Sequence, residues 1–306
     1  MIRNLDPSSE RFLLDLARIQ NTVSEANREI SSGLAVSTPS DAPDQISSIL
    51  QLYADIERNT QIRSNLERVK AENSTAGSTL ETAARILQRA RVLAAQGAST
   101  NQTAETRAIL ANEVQALLEQ LVTASRTIVD NRYIFGGDQD QAPPYQLNLA
   151  NPNGVDRLTT AAASRQVQHP SGASFIVAST AQEIFDHRNP DDSLAGDNVF
   201  AAVNGLRVAL ETNDQAGIDA ALAAVRSAED RLNNQLSFYG TVANKLDEAI
   251  DFSGKLDVQL RTELSSRRDA DLTEAILELE RGRTHEEAAL SARAQMPQTS
   301  LFDFLK

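Results

Sequence analysis

From residue 12 the chain places Phe12, Leu16, Ile19, Val23, Ala26 and Ile30 at alternating steps of four and three. Steps averaging about 3.5 keep an apolar line on one side of an α-helix, the pattern of a helix that packs lengthwise on another helix. The rhythm returns as Ile46, Ile49, Tyr53 and Ile56, slips phase near Thr60, and resumes as Leu66, Val69, Asn73, Ala76, Leu80, Ala83, Leu87, Ala90 and Ala94. This predicts a single helix from about Pro43 to about Gln96, roughly 80 Å of continuous α-structure. Leu110, Val114, Leu117, Leu121, Ala124 and Ile128 predict a third helix that runs on to Asn131 and stops at Gly136 and Gly137. Near the other end Leu222, Val225, Leu232, Leu236, Tyr239, Leu246, Ile250, Leu256, Leu260 and Leu264 repeat the pattern. Leu272, Ile276 and Leu279 form a last piece, and Leu290 lies in the alanine-rich stretch that follows.

Breakers divide these helices. Ser31-Ser32-Gly33 ends the first, and Pro39-Ser40-Asp41-Ala42-Pro43 reads as a turn in which Ser40 or Asp41 caps the next helix and Pro43 enters its first turn. Residues 138–198 differ in character. They hold Pro143, Pro144, Pro152, Pro170 and Pro190, and Ser174-Phe175-Ile176-Val177-Ala178 is their best strand candidate. The expected fold is mainly α: a long antiparallel helical rod, a coiled-coil-like bundle drawn from both chain ends, with a small β-rich inserted domain facing outward. The expected division is an N-terminal segment 1–40, a rod of 41–137 with 199–270, an insertion 138–198 and a C-terminal segment 271–306.

Composition fits packed helices better than a compact catalytic core. Of the 306 residues only 4% are aromatic and none is Trp. Formal net charge is −13, and the longest basic run is Arg267-Arg268, so no field draws the chain to nucleic acid. The absence of Cys excludes disulfides, thiolate nucleophiles and Cys-liganded zinc. No stretch approaches the apolar length of a membrane span, and Met1 to Pro7 lacks the apolar run of a cleaved leader.

Signs of chemistry are few. Neither glycine-rich nucleotide motif is present. Asp186-His187 with Asp191-Asp192 has metal-ligand residue types, but a surface loop of solvated acids is the better reading. His285 falls in the charged run Glu280 to Glu287, a solvated helix face. Asp269/Asp271 and Glu286/Glu287 have no apolar pocket to raise a carboxyl pKa. No catalytic, cofactor-binding or metal residue is predicted, and no cofactor. The strong pattern is the set of seams, and those at the chain ends have no later helix to cover them. Terminal segments of this kind suit lateral assembly.

Four short segments in order resemble the flagellin superfamily: Ser31-Ser32-Gly33, Ser40-Asp41-Ala42-Pro43, Gly240-Thr241-Val242-Ala243-Asn244-Lys245-Leu246 and Asp269-Ala270-Asp271-Leu272. The resemblance spans about 1–137 and 199–306. Within the superfamily, Pro39 and Pro43 around Ser40-Asp41-Ala42, Arg132-Tyr133-Ile134-Phe135-Gly136-Gly137 and Ser300-Leu301-Phe302-Asp303-Phe304-Leu305 are more similar to the hook–filament junction group, hook-associated protein 3, than to filament flagellins. Gln295-Met296-Pro297-Gln298 is similar to flagellin tails, and the run Glu280 to Glu287 departs from both groups. The resemblance implies a structural, non-enzymatic component of the bacterial flagellum, outside the cell and exported without a cleaved signal peptide. Its implied partners are a hook-associated protein 1 type junction protein, flagellin, copies of itself in a ring and an export chaperone, with no nucleic acid and no membrane insertion. The assembly surface then expected comprises Leu5, Phe12, Leu16, Ile19, Val23, Ile30, Leu272, Ile276, Leu279, Leu290, Leu301, Phe302, Phe304 and Leu305, with structural turns at Gly33, Pro39, Pro43, Gly136 and Gly137. A short filament flagellin and a cytosolic coiled-coil scaffold are the alternatives.

Overall fold

The computed structural model describes residues 7–295. Helices are α1 (Pro7–Ser32), α2 (Ile46–Gly97), α3 (Ala104–Ser125), α4 (Ala181–Ile184), α5 (Val199–Glu211), α6 (Gln215–Arg268) and α7 (Leu272–Gln295). Three separate antiparallel strand pairs complete the fold: β1 (Ile128–Val129) with β2 (Arg132–Tyr133), β3 (Tyr145–Leu147) with β4 (Val155–Arg157), and β5 (Gln166–Gln168) with β6 (Ser174–Ile176). The chain divides into two compact units, one drawn from its two ends (to Arg58 and from Leu256) and one spanning Asn59–Lys255.

In the unit Asn59–Lys255 the seams meet as a helical core. Leu80, Leu87 and Leu93 of α2, Val114, Leu118 and Leu121 of α3, Val203 and Leu206 of α5, and Val225 and Leu232 of α6 are all buried there. Small residues such as Ala83, Ala90 and Ala228 alternate with the large ones and let the helices approach closely. The phase slip near Thr60 has a physical identity. Ile56, Asn59, Ile62 and Leu66 are buried in succession, so the spacing runs three, three, four, and one core position is filled by an amide. Asn59 donates from Nδ2 to the Ser253 carbonyl at 2.9 Å, and Ser253 Oγ donates back to Asn59 Oδ1 at 2.9 Å. This reciprocal pair satisfies both groups and fixes α2 against α6 in one register.

The middle segment does not face outward. Tyr145, Val155, Ile184 and Phe185 enter the same core as the helices, which accounts for where the scarce aromatics are spent. Rings at Phe135 and Phe185 lie 5.9 Å apart, Phe185 and Phe200 5.7 Å, and Tyr145 and Phe200 5.2 Å. The strand expected at Ser174 is β6, with Val167 opposite Phe175, and Val167 and Val177 cover Leu66, Val69, Val242 and Leu246. Glu72, buried on α2, accepts from Arg132 at 3.2 Å and is clasped by both terminal nitrogens of Arg165, so the helices and the inserted strands share one carboxylate.

Two expected boundaries are corrected. α3 stops at Ser125, earlier than Asn131, because Asp130 and Asn131 adopt positive φ (50° and 61°) and turn β1 back into β2, the behaviour of a two-residue hairpin. The glycines therefore end no helix. Gly137 has φ +60°, whereas Gly136 is constrained by space: a Cβ there would lie 2.8 Å from the Asp140 Cα. α2 begins at Ile46, three residues beyond Pro43.

Ser253→Ala removes one half of the buried amide pair and leaves Asn59 Oδ1 without its donor. Denaturant unfolding should show a loss of about 1–3 kcal/mol; an unchanged midpoint would show that the pair contributes nothing.

Candidate assembly site at the two chain ends

The first and last helices are tied at their bases by the backbone. Gly33, at φ +72°, leaves α1 with its N–H on the Glu29 carbonyl (2.7 Å). Its own carbonyl accepts from Ala270 N–H at 3.0 Å, while the Arg268 carbonyl accepts from Ala35 and Val36 N–H at 2.8 and 3.1 Å. The linker after α1 thus lies antiparallel to the linker before α7, with Leu34 bridged to Asp269. Ser31-Ser32-Gly33 and Asp269-Ala270-Asp271, far apart in sequence, are two sides of one crossing.

Each linker carries an aspartate that accepts backbone N–H groups. Asp271 caps α7, its Oδ1 accepting from Thr273 N–H at 2.8 Å and Glu274 N–H at 3.3 Å. Asp41 does not cap α2 as expected. It turns back to accept from Ser37 and Thr38 N–H (2.9 and 2.7 Å) and from both hydroxyls. Backbone N–H and hydroxyl donation from Thr38, then N–H from Ser37, hold its carboxyl well below the usual carboxylate range. Pro39 and Pro43 each follow the residue whose carbonyl closes a turn, Thr38 to Asp41 and Ala42 to Gln45, the position at which a fixed φ fits a turn. Beneath the crossing, Ile49, Leu52, Ile56 and Leu264 form a small core flanked by Val36 and Leu260. Arg268 donates to the Tyr53 hydroxyl at 2.5 Å and to Asp269 at 2.9 Å.

Beyond the crossing α1 and α7 run antiparallel. Ala26 is buried, and Phe12, Leu16, Ile19, Val23 and Ile30 are half-buried on one side of α1. The matching line on α7 is Ala275, Leu279, Gly282, Glu286 and Ala289. Of the α7 positions expected in the seam, Leu279 faces α1, whereas Leu272, Ile276 and Leu290 are about half exposed (48%, 50% and 49%). Leu13 and Leu14 of α1 are exposed as well. Leu5, Leu301, Phe302, Phe304 and Leu305 lie outside the described residues.

Sequence reasoning passed over Ala275 and Gly282 because it sought large apolar residues. The available signal was a small residue at every seventh position: 275, 282 and 289. At Gly282 α1 comes close enough that a Cβ would sit 2.6 Å from Val23 Cγ2. Polar contacts frame the seam: Gln20 Nε2 donates to Glu286 at 3.1 Å, and Arg293 donates to Ser9 at 2.7 Å while lying over the Phe12 ring. Partial burial, then the negative charges of Glu25 and Glu278, push the Glu29 carboxyl upward, against the pull of Arg28.

The middle segment offers no comparable site. Of the acids expected in a solvated surface loop, Asp191 and Asp192 are exposed, whereas Asp186 is not. Asp186 is fully buried and accepts from Arg188 Nε (2.9 Å), the Tyr145 hydroxyl (3.2 Å), Asn153 (3.1 Å) and Asn198 (2.8 Å). Burial, with the Asp186 charge second, pushes the Tyr145 phenol far above its ordinary value. Asp191 accepts from Ser193, Asp192 pairs with Arg157, and His187 with Asp197, which in turn meets Arg231. Among the described residues no cluster of His, Asp or Glu is arranged to hold a metal ion.

Gly282→Leu should force α1 and α7 apart. Overpacking of this kind costs about 1–3 kcal/mol. Limited proteolysis should then cut both ends sooner, while the unit Asn59–Lys255 keeps its melting temperature. Unchanged cleavage would mean the close approach is not required.

Two family models match the chain: the bacterial flagellin N-terminal helical region over residues 8–140 and the bacterial flagellin C-terminal helical region over 222–305. No curated protein matches it. Among solved structures it is similar to a putative flagellar hook-associated protein from Vibrio parahaemolyticus (TM-score 0.64, 19% identity, covering 75% of this chain and 100% of that one). It is also similar to flagellar hook-associated protein-3 from Legionella pneumophila (0.59, 17%, 72% and 98%) and to FlgL from Bacillus cereus (0.55, 19%, 72% and 100%). The matched regions end to either side of β3 to β6 and take in the paired terminal helices and their crossing: the chain belongs to the bacterial flagellin family.

Proposed function

We propose that this chain is a structural, non-enzymatic subunit of the hook–filament junction of the bacterial flagellum. In this reading it is exported without a cleaved leader, escorted by an export chaperone, and seated as a ring between a hook-associated protein 1 type junction protein and the flagellin filament. The observation that carries the reading is the two-sided character of α7. One side, Ala275, Leu279 and Gly282, closes on α1; the other, Leu272, Ile276 and Leu290, keeps large apolar groups in solvent. Burying each of these on a neighbouring subunit would contribute roughly 1.5–3 kcal/mol before ordering entropy is subtracted. Assembly of helices needs no catalytic group.

The likeness in fold to hook-associated and junction proteins favours a junction subunit over a short filament flagellin. Deleting the gene tests this. Completed hooks with flagellin shed as monomer into the medium is the expected result. Hooks bearing finished junctions but no filament would make the chain the flagellin, and unchanged filaments would refute both flagellar readings.

A further inference from the structure

The chain contains two Asn-Gly dipeptides, Asn153-Gly154 and Asn204-Gly205. They lie far apart in sequence and meet in the fold. Gly154, at φ +76°, occupies the turn between β3 and β4, and a Cβ there would lie 2.7 Å from Leu118 and 2.9 Å from the Asn204 side chain. Asn204 Nδ2 donates to the carbonyls of Asn151 and Pro152 at 3.2 and 3.0 Å. Here the inserted strands join α3 and α5, and the joint admits only glycine at 154.

Asn-Gly is a labile pair because glycine has no side chain to shield its nitrogen. That nitrogen attacks Cγ of the preceding asparagine: an N–Cγ bond forms, the Cγ–Nδ2 bond breaks, and the side-chain nitrogen departs as ammonia carrying the amide proton. Water then opens the cyclic imide at one of its two carbonyls, leaving aspartate or isoaspartate. No electrons change hands, and water is the sole co-reactant.

The folded joint blocks each part of this reaction. Gly154 N–H is committed to the Asn151 carbonyl at 2.9 Å, and the Asn153 amide donates to Asp186 Oδ1 at 3.1 Å with 4% of the residue exposed. Asn204 is buried, and its Oδ1 accepts from Arg207 Nε at 2.9 Å. The joint also could not accept the product. A carboxylate at 153 would set an acceptor and a second negative charge against buried Asp186, in place of a donor.

We propose that Asn153 and Asn204 are hydrolytic modification sites gated by folding: water converts them while the chain is unfolded, the folded joint closes them, and conversion at Asn153 prevents the joint from re-forming. Time spent unfolded is then recorded as a covalent change at the base of the insertion.

The test is to age the full chain in mildly alkaline buffer with and without concentrated urea, then locate the one-dalton gain by peptide mass spectrometry. Because reaction requires local opening, conversion at both asparagines should be at least ~10-fold slower without urea; equal rates would overturn the gating. On dilution from urea, the fraction that refolds should fall in step with conversion at Asn153, and full refolding of converted chains would overturn the block. Gly205→Ala is the control, since a Cβ there meets open space. It should keep or modestly raise the native melting temperature, as alanine does inside a helix, and suppress conversion in urea at Asn204 alone; suppression at neither site would overturn the Asn-Gly chemistry.

Discussion

Three backbone hydrogen bonds, from Ala35 and Val36 to Arg268 and from Ala270 to Gly33, hold the two linkers of the terminal unit together. Much else in that unit depends on them. An amphipathic helix in a protein draws most of its stability from packing its apolar side and not from propensity. The crossing sets the two helices antiparallel at their bases, so that each provides the surface the other lacks. Gly33 permits it through a positive φ that other residues resist, and Asp271 starts α7 immediately beyond it. The tie is short and mostly half-buried, whereas the helices it aligns are long.

The unit Asn59–Lys255 solves a different problem. Helices that approach closely need small residues, and a chain with 4% aromatics has few large rings to fill an irregular joint. It places them together: Phe135, Tyr145, Phe185 and Phe200 pack where the inserted strands leave and rejoin the helices. Buried charges do the remaining work. Asp186 and Glu72 each gather donors from elements that hydrophobic packing alone would leave free to slide, at a desolvation cost offset by multiple hydrogen bonds. Arg107 acts likewise, reaching the Gly97 carbonyl and the side chains of Asn213 and Gln215 to tie three helix ends.

The periodic parts of this architecture were legible in the sequence, and the irregular parts were not. The α1 seam and the long α2 and α6 follow from apolar spacing, because a helix buries what its period dictates. The slip at Thr60 was visible as a break, though its cause, an asparagine answered by Ser253, lies almost two hundred residues away. Asp130-Asn131 was read through as helix because neither residue is a strong breaker until its φ is known. Ser40 or Asp41 was expected to cap α2, yet the Asp41 carboxylate turned the other way, to Ser37 and Thr38. On α7, Leu272 and Ile276 drew attention from Ala275 and Gly282, since hydrophobicity marks burial somewhere and does not say on what. Small residues told where α1 packs; the large ones mark a surface still open.

A double substitution addresses that open surface directly. Leu272→Gln with Ile276→Gln changes only side chains that the free chain leaves about half exposed. The expected result is an unfolding midpoint equal to that of the original chain, together with failure to incorporate into flagella when the variant replaces it in cells. A destabilised free chain that still incorporates normally would contradict it, placing these residues in the core of the subunit and the assembly surface elsewhere.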